Sequence, residues 1–284
     1  MKSAPFDYVC AENLEHVLSL LAQYGDDARL LAGGQSLLPT LALRLSAPAV
    51  LIDLKRVAKS VMPPQLHEGY WHVNALTRHV DMERSSIVAQ HMPLFSAAAP
   101  WIAHPAIRNK GTLGGSLAVA DPASEWPACV LASGAHLHVA SQSGGERVLF
   151  ADDFFTGLYQ TSLAPEDMLV AVDIPDHQNA KFAFKEVARR QGDYASVGLA
   201  ALFQQSLSKN ALRWVYFGIA DYPIRAYELE KVILESRSLQ EALTSAREVH
   251  QDYFFAQADL GCSSETKKRM AAAMMEEVIH DWFS

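Results

Sequence analysis

Two glycine loops carry the residues of this chain best suited to chemistry. The first, Leu31-Ala32-Gly33-Gly34-Gln35-Ser36-Leu37, follows a short apolar run. The second, Ile107-Arg108-Asn109-Lys110-Gly111-Thr112-Leu113-Gly114-Gly115-Ser116, with its glycine pair in Thr112 to Ser116, is followed by Asp121 and Glu125. Adjacent glycines lack Cβ atoms and reach positive φ, so consecutive N–H groups can converge on one anion. A hydroxyl closes each loop, Ser36 in one and Ser116 in the other. Two such loops could grip the two phosphates of a pyrophosphate from opposite sides, which points to a dinucleotide such as FAD. Neither loop is a G-x-G-x-x-G fingerprint, and no Walker lysine follows. A single Gly-Gly after a strand is commonly a turn, so the signal lies in the pair and its flanks.

The elements that must deliver these loops can be read from periodicity. Phe6 to Val9 reads as a strand, Asn13 to Tyr24 as a helix stopped by Gly25, and Ala28 to Ala32 as the strand feeding the first loop. Leu37 to Leu45 reads as a short helix and Val50 to Leu54 as a third strand, completing a β-α-β-type unit. Tyr70 to Ala75 alternates like a strand, Thr77 is expected to cap a helix running to Glu83, and Pro93 to Trp101 reads as helical. From His104 to Ser124 no period is visible, so the second loop is expected within an irregular, ligand-shaped segment. Glu125 to Ser133 reads as a helix, His136 to Ser141 and Arg147 to Phe150 as a hairpin, and Met168 to Ile174 as a strand. The polar stretch Pro175 to Ala180 is a linker candidate. Strands near Lys181 to Val187, Ser196 to Gln204 and Leu212 to Ile219 precede helices near Ile224 to Glu235, Leu239 to Phe254 and Ser264 to Trp282. Strands followed by helices indicate an α+β class.

Composition narrows the function. The chain has 284 residues, half of them hydrophobic and 20% charged, with a net charge of −8. It therefore lacks the global basic field of a nucleic-acid binder. No apolar run reaches the ~18 residues of a membrane span, and Met1 to Asp7 lacks an apolar signal core, so a cytoplasmic location is expected. Cys10, Cys129 and Cys262 form no cluster with iron–sulfur or zinc spacing. His136 and His138 alternate on a strand, but no third ligand is apparent beside them, so no metal site is expected. His16, His67, His79 and His91 have no motif around them.

The chain resembles the FAD-binding middle subunit of the molybdenum hydroxylases, the group of xanthine dehydrogenase and aerobic carbon monoxide dehydrogenase. The resemblance rests on Ala32 to Pro39, Leu43-Arg44-Leu45, Leu51 to Leu54, His104 to Glu125 and Arg189-Arg190-Gln191-Gly192-Asp193-Tyr194-Ala195. It implies a two-lobed FAD-binding domain of the vanillyl-alcohol oxidase type over residues 1–175, with lobes of about 1–55 and 56–175. A small α+β C-terminal domain over 176–284 would follow, as in the carbon monoxide dehydrogenase flavoprotein. The chain departs from relatives at Gln35, often histidine, and near Ser263 to Met270, where they carry more arginine.

The resemblance also implies site residues. Leu31 to Leu37 and Thr112, Gly114, Gly115 and Ser116 would hold the pyrophosphate and ribityl chain. Asp121 and Glu125 would accept hydrogen bonds from ribityl or ribose hydroxyls. Ile102 and Leu169, which read as core from the sequence alone, would approach the isoalloxazine. Lys185, otherwise an exposed strand lysine, would place a cation near the ring, and Tyr194 would cover it. Arg108 and Lys110 flank the second loop, either as cations beside phosphate or as a solvated pair. No residue here need be a catalytic acid or base. The implied role is electron relay. A large subunit with a molybdenum cofactor oxidises a small substrate, a 2Fe-2S small subunit carries the electrons to FAD on this chain, and an external acceptor, NAD or a quinone, takes them away. The alternatives are a free-standing flavin oxidase or reductase of the same fold, and a nucleotide-binding scaffold that has lost flavin.

Overall fold

The structure, a computed structural model, describes residues 2–204 and 211–283. Its first lobe holds β1 (Asp7–Cys10), α1 (Leu14–Tyr24), β2 (Ala28–Leu31), α2 (Leu37–Ala42) and β3 (Val50–Asp53). The strands form a parallel sheet in the order β1-β3-β2. Central β3 is buried along its whole length, as its unbroken Val-Leu-Ile run requires. Helix α1 is capped by Asn13, whose side chain accepts from the His16 N–H, and its buried stripe is Val17, Leu20 and Leu21.

The second lobe adds β4 (Gln65–His67), β5 (Tyr70–Asn74), then helices α3 (His79–Arg84), α4 (Ser86–His91), α5 (Pro93–Ala98), α6 (Pro105–Arg108), α7 (Leu113–Val119) and α8 (Glu125–Ser133). The hairpin β6 (His136–Ser141) and β7 (Gly145–Phe150) follows, then α9 (Ala151–Phe154), β8 (Phe155–Gly157), β9 (Gln160–Thr161) and β10 (Met168–Pro175). A five-stranded sheet runs β4-β5-β10-β6-β7, with antiparallel pairing throughout. Strands alternate their side chains between faces. Val73, Leu137, Val139 and Val172 accordingly face a core shared with Leu117 and Trp126.

The third unit pairs β11 (Lys181–Ala188), β12 (Ala195–Gln204), β13 (Ala211–Phe217) and β14 (Ile224–Arg225) as an antiparallel sheet, followed by α10 (Tyr227–Glu235), α11 (Leu239–Tyr253) and α12 (Ser264–Phe283). One face of this sheet, with Val197, Leu199, Trp214 and Tyr216, packs on the three helices. The other, with Phe184, Ala200, Val215 and Phe217, packs on the core of the second lobe. Helix α8 lies between the two sheets with every residue buried. A helix with no polar stripe has to be enclosed on all sides.

Three expectations need correction. The segment from His104 to Ser124 is not irregular throughout, because it contains α6 and α7. Both helices are too short to show a period in sequence. Thr77 does not cap a helix; α3 begins at His79 after Arg78, and the Thr77 carbonyl accepts from the Leu113 N–H instead. Ile224 and Arg225 form an edge strand rather than the first turn of α10.

Candidate cofactor site

The fold brings the two glycine loops into direct contact. The strand β2 ends at Leu31 and releases Ala32 to Ser36 before α2. At Gly33 this turn meets the backbone just before α7: a Cβ there would overlap the Lys110 carbonyl oxygen and lie 2.7 Å from the Gly111 Cα. Only glycine allows that approach. In the first loop, the Gln35 side-chain amide donates to the Gly33 carbonyl at 2.9 Å. Among the described residues no acceptor is found for the backbone N–H groups of Gly33, Gly34, Gln35 and Ser36. Four adjacent half-buried or exposed donors without protein partners fit an anionic group.

The second loop is differently built. Thr112 is the N-cap of α7, and its hydroxyl accepts from the Gly115 N–H at 3.1 Å. The Leu113 N–H donates to Thr77 O at 2.9 Å, Gly114 to Ala75 O at 2.7 Å and Ser116 to Thr112 O at 3.0 Å. All four amides are therefore committed within the protein. The expectation that both loops offer free amides is corrected to the first loop alone.

Behind the second loop sits His79, a residue without a sequence motif. It is 5% exposed. Its Nδ1 accepts from Trp126 Nε1 at 2.9 Å, which leaves the ring proton on Nε2, beside Gly111. Burial and, secondarily, the Arg108 charge lower its pKa to about 4, so the ring is neutral. Arg108 does not face a phosphate. Its guanidinium donates to the Ile102 and Ala103 carbonyls at 3.0 and 2.8 Å and pairs with Glu83 through both arms. It is a buried brace for the turn before α6.

An acidic and aromatic wall stands beside the loops. Asp121 Oδ1 accepts from the Ala123 N–H at 2.9 Å and Oδ2 from the Tyr159 hydroxyl at 3.1 Å. Glu125 opens α8 and is 7% exposed; burial, reinforced by Asp121, raises its pKa to about 7. Tyr194 projects into solvent at 71% exposure, with Asp121 and Glu125 among the charges acting on it. Its turn is seated on Ala103, where Gly192, at φ +85°, approaches so closely that a Cβ would be 2.7 Å from the Ala103 carbonyl oxygen. The Gly218 N–H donates to Pro122 O at 2.8 Å, fastening the third unit to the same loop.

Ile102 and Leu169 are core residues at 7% and 5% exposure, in one cluster with Trp126. Lys185 is not brought to this cluster. It stands opposite Leu199 on the helix-facing side of β11 and pairs with Glu277 of α12. Its neighbour Glu186 takes the other face. It is buried, neither oxygen has a hydrogen-bond partner among the described residues, and burial with the Glu125 charge raises its pKa to about 8. Sequence reasoning missed Tyr159, His79 and Glu186. Only Glu186 left a signal, the alternation that puts it opposite in facing to Lys185.

Comparison with known proteins accords with this geometry. Residues 4–177 match the family profile for the FAD binding domain in molybdopterin dehydrogenase, and residues 182–282 that for the CO dehydrogenase flavoprotein C-terminal domain. The 6-hydroxypseudooxynicotine dehydrogenase complex subunit alpha of Paenarthrobacter nicotinovorans is 40% identical over 240 residues, covering 83% of this chain and 80% of its own. Caffeine dehydrogenase subunit beta of Pseudomonas sp. (strain CBB1) is 34% identical, covering 98% of this chain and 95% of its own. The solved carbon monoxide dehydrogenase of Hydrogenophaga pseudoflava superposes with a TM-score of 0.91 at 31% identity, over 98% of this chain and 96% of the matched one. With two joined glycine loops, an α+β frame and family profiles over nearly all its length, this chain belongs to the FAD-binding subunits of the molybdenum hydroxylases, and it is a subunit of an oxidoreductase.

Proposed function

We propose that this chain is the electron-exit subunit of a molybdenum hydroxylase complex. It would hold FAD within reach of 2Fe-2S clusters on a small partner chain, downstream of a molybdenum-bearing large chain, and present it to an external acceptor, NAD or a quinone. Bound FAD supplies a redox carrier able to take and give one or two electrons. What supports this reading most is the unspent row of amides at Gly33 to Ser36, pressed against the second loop.

Each residue has a binding or positioning task in this reading. The amides of Gly33 to Ser36, between Leu31-Ala32 and Leu37, receive phosphate charge. Thr112, Gly114, Gly115 and Ser116 shape the opposing wall. Asp121, oriented by Tyr159, and Glu125 accept hydrogen bonds from sugar or ribityl hydroxyls. Ile102 and Leu169 provide apolar backing, and exposed Tyr194 covers the ring and controls the acceptor's approach. Lys185 is left out of these roles, since Glu277 holds it on the far face of β11.

The test is affinity purification of the tagged chain from its own host, with FAD, Mo and Fe quantified. Stoichiometric FAD with Mo and Fe on copurifying chains is expected, and a Gly33→Asp, Gly115→Asp variant should lose FAD. A flavoprotein free of Mo and Fe would overturn the complex in favour of a free-standing oxidoreductase. A chain that stays colourless after excess FAD and desalting would overturn the flavin assignment.

A further inference from the structure

The face of the five-stranded sheet opposite the core shared with Leu117 of α7 and Trp126 of α8 carries a second constellation. His72 on β5, Asp173 on β10 and His138 on β6 come from three adjacent strands. Asp173 is the direct cross-strand partner of His72, and His138 lies diagonally across on the other side. Their sequence neighbours Val73, Val172, Leu137 and Val139 are all fully buried, which fixes the three polar side chains on the outer face. His72 Nδ1 and His138 Nε2 each lie 2.7 Å from a different Asp173 oxygen, and one ligand atom from each residue falls within 4.8 Å of the others.

We propose that His72, His138 and Asp173 form a binding site for a divalent transition metal, with zinc the natural occupant. Two imidazoles and one carboxylate are a zinc-type donor set, and they leave coordination positions for water. Ligands about 2.1 Å from a tetrahedral ion lie roughly 3.4 Å apart, so small side-chain rotations close the set. Without metal, each imidazole donates its ring proton to Asp173. With metal, each proton moves to the other ring nitrogen and the ion takes its place, so no net proton need leave.

The donors are partly shielded but reachable, at 48%, 28% and 21% side-chain exposure for His72, His138 and Asp173. Strand β10 is paired on both sides, so the donors stand on a stiff frame. The bound ion would tie β5, β10 and β6 together on the face opposite Leu117 and Trp126. The sequence hides this site because its three donors are far apart along the chain and only the sheet order makes them neighbours.

The experiment is calorimetric titration of the chelator-stripped full chain with zinc chloride, followed by zinc-edge X-ray absorption. One equivalent per chain and a spectrum containing two imidazoles are expected. Affinity should fall at least tenfold in Asp173→Asn and in His72→Ala/His138→Ala, while His67→Ala, on exposed β4, leaves it unchanged. Each variant should still retain FAD, which shows that it is folded. Absent stoichiometric binding, or binding that survives in the double variant, would overturn the site.

Discussion

The two glycine loops share a composition and do opposite things. The first keeps four backbone donors free of acceptors among the described residues, while the second spends all of its first-turn donors on Thr77, Ala75 and Thr112. One loop is therefore a candidate receptor for charge and the other a scaffold that holds the receptor in place. Paired glycines in sequence do not tell these jobs apart. What separates them is the destination of each N–H, and that is a tertiary property.

Gly33 is the point where the two roles meet, so its substitution should have the greatest effect. In Gly33→Ala the new methyl meets the Lys110 carbonyl and the Gly111 Cα, both backbone, and neither can rotate away. The loops must part, at a cost of about 3 kcal/mol or more. FAD affinity should fall at least about a hundredfold, measured by titration of flavin fluorescence. Near-normal affinity in this variant would show that the contact between the loops is dispensable for binding.

The scaffold has its own keystone in His79. Its pKa is lowered to about 4 when folded, against an ordinary value of 6.5. Between these values the unfolded chain binds a proton that the folded chain refuses, so stability rises with pH across this window and is lost as pH falls from 6.5 towards 4. The contribution is on the order of 3 kcal/mol. In His79→Asn a carboxamide oxygen can still accept from Trp126 but cannot take up the proton. Melting temperature should therefore depend less on pH between 4 and 6.5 in His79→Asn than in the parent. Parallel pH profiles would remove His79 from this role.

The frame was far more legible in the sequence than the chemistry of the wall. The β-α-β start, the hairpin and the long C-terminal helices declared themselves through period and punctuation, because each has enough residues to repeat a pattern. The helices α6 and α7 could not, at four and seven residues. Resemblance pointed to Asp121, Glu125 and Tyr194, which the fold gathers, but also to Lys185, which it does not. On β11 the side chains alternate, so Lys185 and Glu186 face opposite layers, and only Glu186 faces α8. Tyr159 and His79 earn their places through contacts with Asp121 and Trp126 from distant parts of the chain. No local pattern records such a contact.

Thr112 tests how strictly the second loop is structural. Its hydroxyl caps α7 through Gly115, and loss of an N-cap costs about 1 kcal/mol. Thr112→Ala should thus lower the melting temperature by about 2–4 °C, and Thr112→Ser should restore most of it. Because no free amide is lost, FAD affinity should fall less than about tenfold in the alanine variant, well short of Gly33→Ala. If Thr112→Ala instead loses FAD as severely as Gly33→Ala at this small cost in stability, the hydroxyl itself meets the cofactor. The second loop would then be a receptor in its own right, using a side chain where the first uses its backbone.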